Sequence, residues 1–330
     1  MDPVWALRQI AFHLERADEP TYRVHAFRRA AAVVAGLAPE DLRERVRRGS
    51  LTDLPGIGAT TAGVVTEAVA GREPEYLTKL LARAAPVATG GEELLAALRG
   101  DCHTHSDWSD GGSSPREMAE AARDLGREWI ALTDHSPNLR VANGLSARRL
   151  RAQLDAVAEI NAELAPFRVL TGIEVDILGD GSLDQEEDLL ASLDVVVASV
   201  HSALRMPKAA MTGRMLAAVA NPHVDVLGHC TGRLRVGRKR PESEFDADAV
   251  FAACAEHGVA VEVNSRPERL DPPMRLLRLA ADAGCEFAID SDAHAPGQLD
   301  WLGHGCARAQ ACGITEDRVI NARPADQVGS

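Results

Sequence analysis

The side chains best able to do chemistry in this chain are imidazoles and carboxylates concentrated in seven short segments. DCHTH at 101–105 supplies His103 and His105; the others supply Asp110, His135 (in TDH at 133–135), Glu174, His201, His229, and Asp292 with His294 (in DAH at 292–294). Six of the eleven histidines therefore fall where an apolar run has just ended. Mixed histidine and carboxylate ligation suits Zn, Mn or Fe, and nine such donors are too many for one ion. This pattern reads as a multi-metal hydrolase. A lone histidine at a strand end is more often a hydrogen-bonded structural residue, and it is the repetition across six strands that points to one shared site. His13, His25, His223, His257 and His304 lack that placement and receive no catalytic role.

Something must hold these donors together. Apolar runs with the character of buried parallel strands occur at 129–132, 169–170, 195–200, 224–227, 259–263 and 287–289, separated by helical stretches. A short strand entering Asp101 would make seven. The helix after the first strand is well marked: Ser114 caps it, Pro115 fits its first turn, Met118, Ala121, Ala122 and Leu125 share a face, and Gly126 ends it. Repeated strand-helix units imply a parallel sheet, and seven of them a distorted (β/α)7 barrel. In such a barrel the residues just past each strand meet at one mouth. His103 and His105, two apart on an extended segment, both point inward.

The first 85 residues read as a small all-α domain, with apolar positions at helical spacing and no strand signal. LTDLPGIG at 51–58, followed by a helical run, resembles a helix-hairpin-helix element. Gly56 and Gly58 let the backbone approach a phosphate at a helix N-terminus, where free amides and the dipole favour an anion; the alternative is a tight turn between packed helices. The stretch from Tyr22 to Gly63 is similar to the N-terminal helical domain of family X DNA polymerases. It departs from DNA-binding versions in carrying Ala59-Thr60 where a lysine often follows the second glycine. Residues 86–98, with a proline and paired glycines, read as a linker. The metal segments start so soon afterwards that no polymerase palm or fingers fits between, and template-directed synthesis is not expected.

Composition is compatible with this organisation. The chain has 330 residues, 45% of them hydrophobic, which is ordinary for about two globular domains. Residues 1–100 carry thirteen basic and thirteen acidic side chains; the remaining 23 Lys+Arg and 36 Asp+Glu supply the whole net charge of −13. That acidity opposes tight nonspecific DNA binding, and a phosphate substrate would need bound cations to reverse the local field. Met1-Asp2-Pro3 does not open a secretory signal, and no apolar run is long enough to span a membrane, so a cytoplasmic location is expected. The six cysteines show no zinc-knuckle spacing and read as reduced, small buried hydrophobes.

Residues 99–325 resemble a PHP (polymerase and histidinol phosphatase) domain of the type at the C-terminus of bacterial family X polymerases, with 326–330 left as a tail. The matching segments are DCHTH with SDG at 109–111, TDHS at 133–136, GIEVDI at 172–177, SVHS at 199–202, GHCTGR at 228–233 and SDAH at 291–294. Cys102 and Cys230 stand where leucine and proline are usual. The resemblance implies three divalent ions: one on His103, His105, Glu174 and Asp292; a second on Glu174, His201 and His229; a third on Asp110, His135 and His294. It implies phosphoester hydrolysis by metal-activated hydroxide attack on phosphorus. Asp101 and Asp134 are expected to orient ligand histidines. Arg233, heading a basic run with Arg235, Arg238, Lys239 and Arg240, and Arg266 are expected to fork onto a substrate phosphate. Nucleic-acid 3′ ends are the favoured substrate, as a 3′-phosphatase or 3′-5′ exonuclease. The alternatives are a small phosphomonoester of the histidinol phosphate type and a non-catalytic DNA-repair scaffold. No partner protein is inferable.

Overall fold

The computed structural model describes residues 1–84, 86–237 and 239–329. Ala85 at the end of the expected helical domain, Arg238 of the basic run and Ser330 of the tail lie outside the described residues. Contacts divide the chain into two compact units, residues 1–86 and 87–330.

Among the described residues the first unit contains five α-helices, α1 (Pro3–Arg16), α2 (Thr21–Ala35), α3 (Pro39–Arg48), α4 (Ala59–Val69) and α5 (Glu75–Arg83). Asp2 caps α1 by accepting from the Val4 amide at 2.8 Å, and Pro3 fills the first helical position. Ala6, Leu7, Ile10, Ala11 and Leu14 then fall on one face and are buried in a core shared with α2 and α4. Between α3 and α4, Gly56 has φ +97°, and a Cβ there would lie 2.9 Å from two side-chain carbons of Arg29. The turn is therefore tight as well as left-handed, which only glycine accommodates.

The second unit is built on six parallel strands in sequence order: β1 (Trp129–Leu132), β2 (Arg168–Asp176), β3 (Val195–Ser199), β4 (Val226–Leu227), β5 (Ala260–Asn264) and β6 (Phe287–Asp290). The expected seventh strand is not a regular one. Thr104 alone bridges to both edges, to Leu132 at the end of β1 and to Ala293 past β6. The reason lies in its amides: Cys102 donates to Asp290 Oδ1 at 2.9 Å, His103 to Asp101 Oδ1 at 3.2 Å and Thr104 to Thr133 Oγ1 at 3.0 Å. Side chains replace the carbonyls of a ladder, so the segment closes the ring of strands while staying irregular.

Helices α7 (Pro115–Asp124), α8 (Ala147–Leu164), α10 (Lys208–Val219), α11 (Ala247–His257), α12 (Met274–Asp282) and α13 (Leu302–Gln310) form the crossovers and outer layer, with a single turn, α9 (Glu187–Leu190), before β3. Ser114 caps α7 as the sequence indicates, accepting from the Glu117 amide at 3.3 Å. The stretch expected as a linker contains helix α6 (Glu92–Ala97), and Leu94 and Leu98 are buried in this unit's core. Among the described residues no helix is long and apolar enough to cross a membrane. All six cysteines are free and five are buried; burial above all pushes the Cys102 and Cys230 thiols well above the ordinary range.

Candidate metal centre

Glu174, on the buried run of β2, is the hub. Its Oε1 lies 2.8 Å from His229 Nε2 and 3.2 Å from His201 Nε2. Its Oε2 lies 3.4 Å from His103 Nε2, 3.6 Å from His105 Nε2 and 2.7 Å from His135 Nδ1. These imidazoles come from the closing segment and from the ends of β1, β3 and β4. Past β6, Asp292 Oδ1 lies 3.5 Å from His105 Nε2, and at the rim Asp110 Oδ1 is 3.4 Å from both His135 Nε2 and His294 Nε2. Asp292 holds φ +53°, a left-handed backbone that a non-glycine residue seldom adopts outside a functional turn. Each of the nine expected donors is within this one mouth.

The donors fit divalent ions better than they fit one another. His103 Nε2, both ring nitrogens of His105 and His201, and Glu174 Oε2 are buried without a hydrogen-bond partner. Such atoms are costly to bury unless something else engages them. Two donors about 2.1 Å from a common ion at the tetrahedral angle stand roughly 3.4 Å apart, close to the 3.2–3.6 Å that separate Glu174 from His103, His105 and His201, while His135 and His229 lie at hydrogen-bond distance from it. Three overlapping sets have every donor atom within 4.8 Å of the others: His105, Asp110, His135 and His294; His103, His105 and Glu174; His135, Glu174 and His201. The electrostatics follow from crowding. Burial, then His294 and His135, hold His105 well below the usual histidine range, so it is neutral, the form that ligates. At His103 burial is outweighed by Glu174 and Glu262, which raise it.

Several supporting residues were not anticipated. Glu262 in β5 sits 2.6 Å from His103 Nδ1 through Oε1 and accepts the His229 amide through Oε2. Asp176 accepts the His201 amide at 3.1 Å, and Asn264 donates to Asp292 Oδ2 at 3.0 Å. Asp101 and Asp134, expected to orient histidine rings, hold backbone and hydroxyl groups instead. Asp101 accepts from Ser291 Oγ at 2.5 Å and from the His103 amide, and Asp134 accepts from Ser106 and from Gln153 Nε2 at 2.6 Å. Both shape the ligand-bearing loops, while Glu262 holds the ring.

A cavity of about 310 Å³ opens over the cage. Arg266 and Arg269 line one side; Arg266 Nη1 is 2.8 Å from His294 Nδ1, and Arg269 Nε is 3.2 Å from Asp292 Oδ2. Leu139, Val141 and Leu234 form an apolar wall, and Val141 is 95% exposed at the mouth. Arg233 corrects the sequence expectation: its Nε donates to the Arg269 carbonyl at 3.1 Å, its Nη2 to that of Leu270, and it does not line the cavity. Carbonyls already occupy its fork, so it braces the loop bearing Arg269. Gly56 and Gly58 belong to the helical unit, where the Gly58 amide already donates to Thr61 Oγ1 at 3.0 Å.

Comparison with known proteins agrees with this geometry. The PHP domain model matches residues 101–266 and the helix-hairpin-helix domain model residues 1–73. The chain is 42% identical over 229 residues to the DNA polymerase/3'-5' exonuclease PolX of Bacillus subtilis (strain 168), a match covering 69% of this chain but only 40% of that protein. It is 29% identical over 232 residues to a protein named "Probable phosphatase" from Thermoanaerobacter sp. (strain X514), covering 67% of this chain and 89% of the relative. A solved histidinol phosphate phosphatase from Lactococcus lactis overlaps with a TM-score of 0.49 and 20% identity, over 66% of this chain and 94% of that one. With the family pattern matched over half its length and its donors gathered at one barrel mouth, the chain belongs to the PHP domain family and carries a helix-hairpin-helix domain ahead of it.

Proposed function

We propose that the chain is a metal-dependent phosphoesterase acting on nucleic-acid 3′ ends, as a 3′-phosphatase or a 3′-5′ exonuclease. The observation that carries this is the set of buried, partnerless nitrogen and oxygen atoms around Glu174. A non-catalytic scaffold would have no use for them. His103, His105, Glu174 and Asp292 would hold one ion, Glu174, His201 and His229 a second, and Asp110, His135 and His294 a third, with Zn, Mn and Fe all suited to the donor types. Divalent cations so placed supply the charge that acidifies water and neutralises phosphoryl oxygens. Glu262 fixes the His103 ring so that Nε2 faces the hub. Arg269 presents its guanidinium group to a phosphate in the cavity beside Arg266, whose own fork is paired with Glu268, and Leu139, Val141 and Leu234 shelter the ester from bulk water.

Nucleic acid is favoured by two features: the helix-hairpin-helix domain, and the 42% identity to a relative whose name includes 3'-5' exonuclease. The acidic chain and the relatives named as phosphatases favour the second reading, a small phosphomonoester. Free, buried thiols fit action in the reducing cytoplasm. The deciding experiment compares a 3′-phosphorylated oligonucleotide, an unmodified strand and histidinol phosphate under Mn, Zn and Mg. Preference for either oligonucleotide supports the proposal, and preference for histidinol phosphate replaces it with the second reading.

A further inference from the structure

A second cavity, of about 360 Å³, opens in the barrel unit and is lined by Leu204, Arg205, Leu234, Lys239, Arg240 and Pro241. Leu234 also lines the metal cavity, so the two share a wall. Three of the six lining residues are cationic and none is acidic, although the chain carries a net charge of −13. Arg205 and Lys239 pair with no carboxylate among the described residues. Arg240 is held by its Nε, which donates to the Gly232 carbonyl. Burial and the nearby Arg269 lower Arg240, and Asp271 raises it. Cationic side chains thus continue from Arg266 and Arg269 into the second cavity.

The cavity is built by loops that also bear ligand histidines, one following His201 and one following His229. Ser243 ties them, its Oγ donating to the Leu204 carbonyl at 2.9 Å and its amide to the Thr231 carbonyl at 2.8 Å. Leu234 and Arg240 pair as an antiparallel bridge. Gly232, at φ +59°, lets the walls approach: a Cβ there would lie 2.8 Å from Leu204 Cδ2. None of these ties uses the charge of Arg205 or Lys239. Like charges facing a shared cavity repel, and an anion lodged between them relieves that repulsion and accepts charge-assisted hydrogen bonds.

We infer that this cavity is a phosphate subsite for an internucleotide linkage near the ester held at the metal cage, so the substrate is an oligonucleotide strand rather than an isolated monoester. The inference rests on the phosphoesterase reading and specifies its substrate class. Leu204, Leu234 and Pro241 supply apolar surface for the sugar between the two phosphates.

The test uses the full chain with Mn and a single-stranded oligonucleotide in which a neutral methylphosphonate replaces, one at a time, each of the first three linkages from the 3′ end or one remote linkage. In the unsubstituted protein kcat/KM is expected to fall about tenfold at one of the three near positions and little at the remote one, the loss of one hydrogen-bonded charge contact. In Arg205→Ala/Lys239→Ala that positional dependence disappears, and in Arg205→Lys most of it returns. Equal cleavage of all the oligonucleotides by the unsubstituted protein overturns the subsite, as does a positional loss that survives in the double variant. If the metal-loaded protein hydrolyses neither oligonucleotide nor p-nitrophenyl phosphate, the phosphoesterase reading fails. The same series is then scored by equilibrium binding of the fluorescently labelled strands: a position-dependent loss of affinity removed by the double variant keeps the phosphate subsite, and position-independent binding overturns it.

Discussion

In the helical unit the buried carboxylate Glu15 meets Arg28 through two hydrogen bonds of 2.9 and 2.7 Å, whereas in the barrel the buried carboxylate Glu174 faces five imidazoles and no arginine. One carboxylate is neutralised by its own chain. The other is surrounded by imidazoles that compete for it, and several of their ring nitrogens, His103 Nε2 and His201 Nε2 among them, are left without hydrogen-bond partners. The contrast teaches where to look for function, because buried polar groups satisfied within the protein report folding, and those left open report something the protein is built to hold.

Substitution at the hub should give the largest effect. Glu174→Gln keeps the volume but removes the charge between the histidines, and kcat/KM on a phosphoester should fall by more than about a hundredfold, beyond the range usual for supporting residues. Elemental analysis should show the bound Mn or Zn falling with it; full metal content would separate Glu174 from ligation. The matching change in the helical unit is Arg28→Ala, which removes both of its hydrogen bonds to the buried Glu15 carboxylate and should cost about 3 kcal/mol in that unit's unfolding. Denaturation followed by circular dichroism measures it, and metal content should stay constant.

Glu262→Gln ranks next, with a loss of roughly 10- to 100-fold in metal affinity from a weakened hold on the His103 ring. Competition with a chromophoric chelator reads that directly, and unchanged affinity would return the orienting role to another group. The smallest effect belongs to the arginines. Arg269→Ala should raise KM about tenfold through one lost phosphate contact, and Arg233→Ala should raise it less, since Arg233 is turned to the carbonyls of residues 269 and 270 and to the Glu242 carboxylate. Steady-state kinetics on the two variants settles the order, and a larger effect at Arg233 would place it in the site after all.

The sequence made the first ring of donors legible because strand ends are punctuated by motifs in which histidine and aspartate stand out from apolar surroundings. The six strand positions were readable for the same reason, as Val195 to Ser199 and Phe287 to Asp290 illustrate. The closing segment reads as a regular strand from sequence because hydropathy does not show that the carboxylates of Asp101 and Asp290 take its amides. Glu262 is hidden inside an apolar run, although a lone carboxylate between Val261 and Val263 is itself a signal, since a buried charge needs a partner. Arg233 and Arg269 could not be ranked from sequence. Both lie in loops, and only the fold decides which guanidinium meets carbonyls and which meets the cavity.

The most direct measurement is anomalous X-ray diffraction at the Mn or Zn edge from crystals of the loaded protein. Two or more peaks clustered within bonding distance of the Glu174 carboxylate and its surrounding imidazoles are predicted. Peaks confined to other surfaces, or none at the barrel mouth under saturating metal, would contradict a shared cation site.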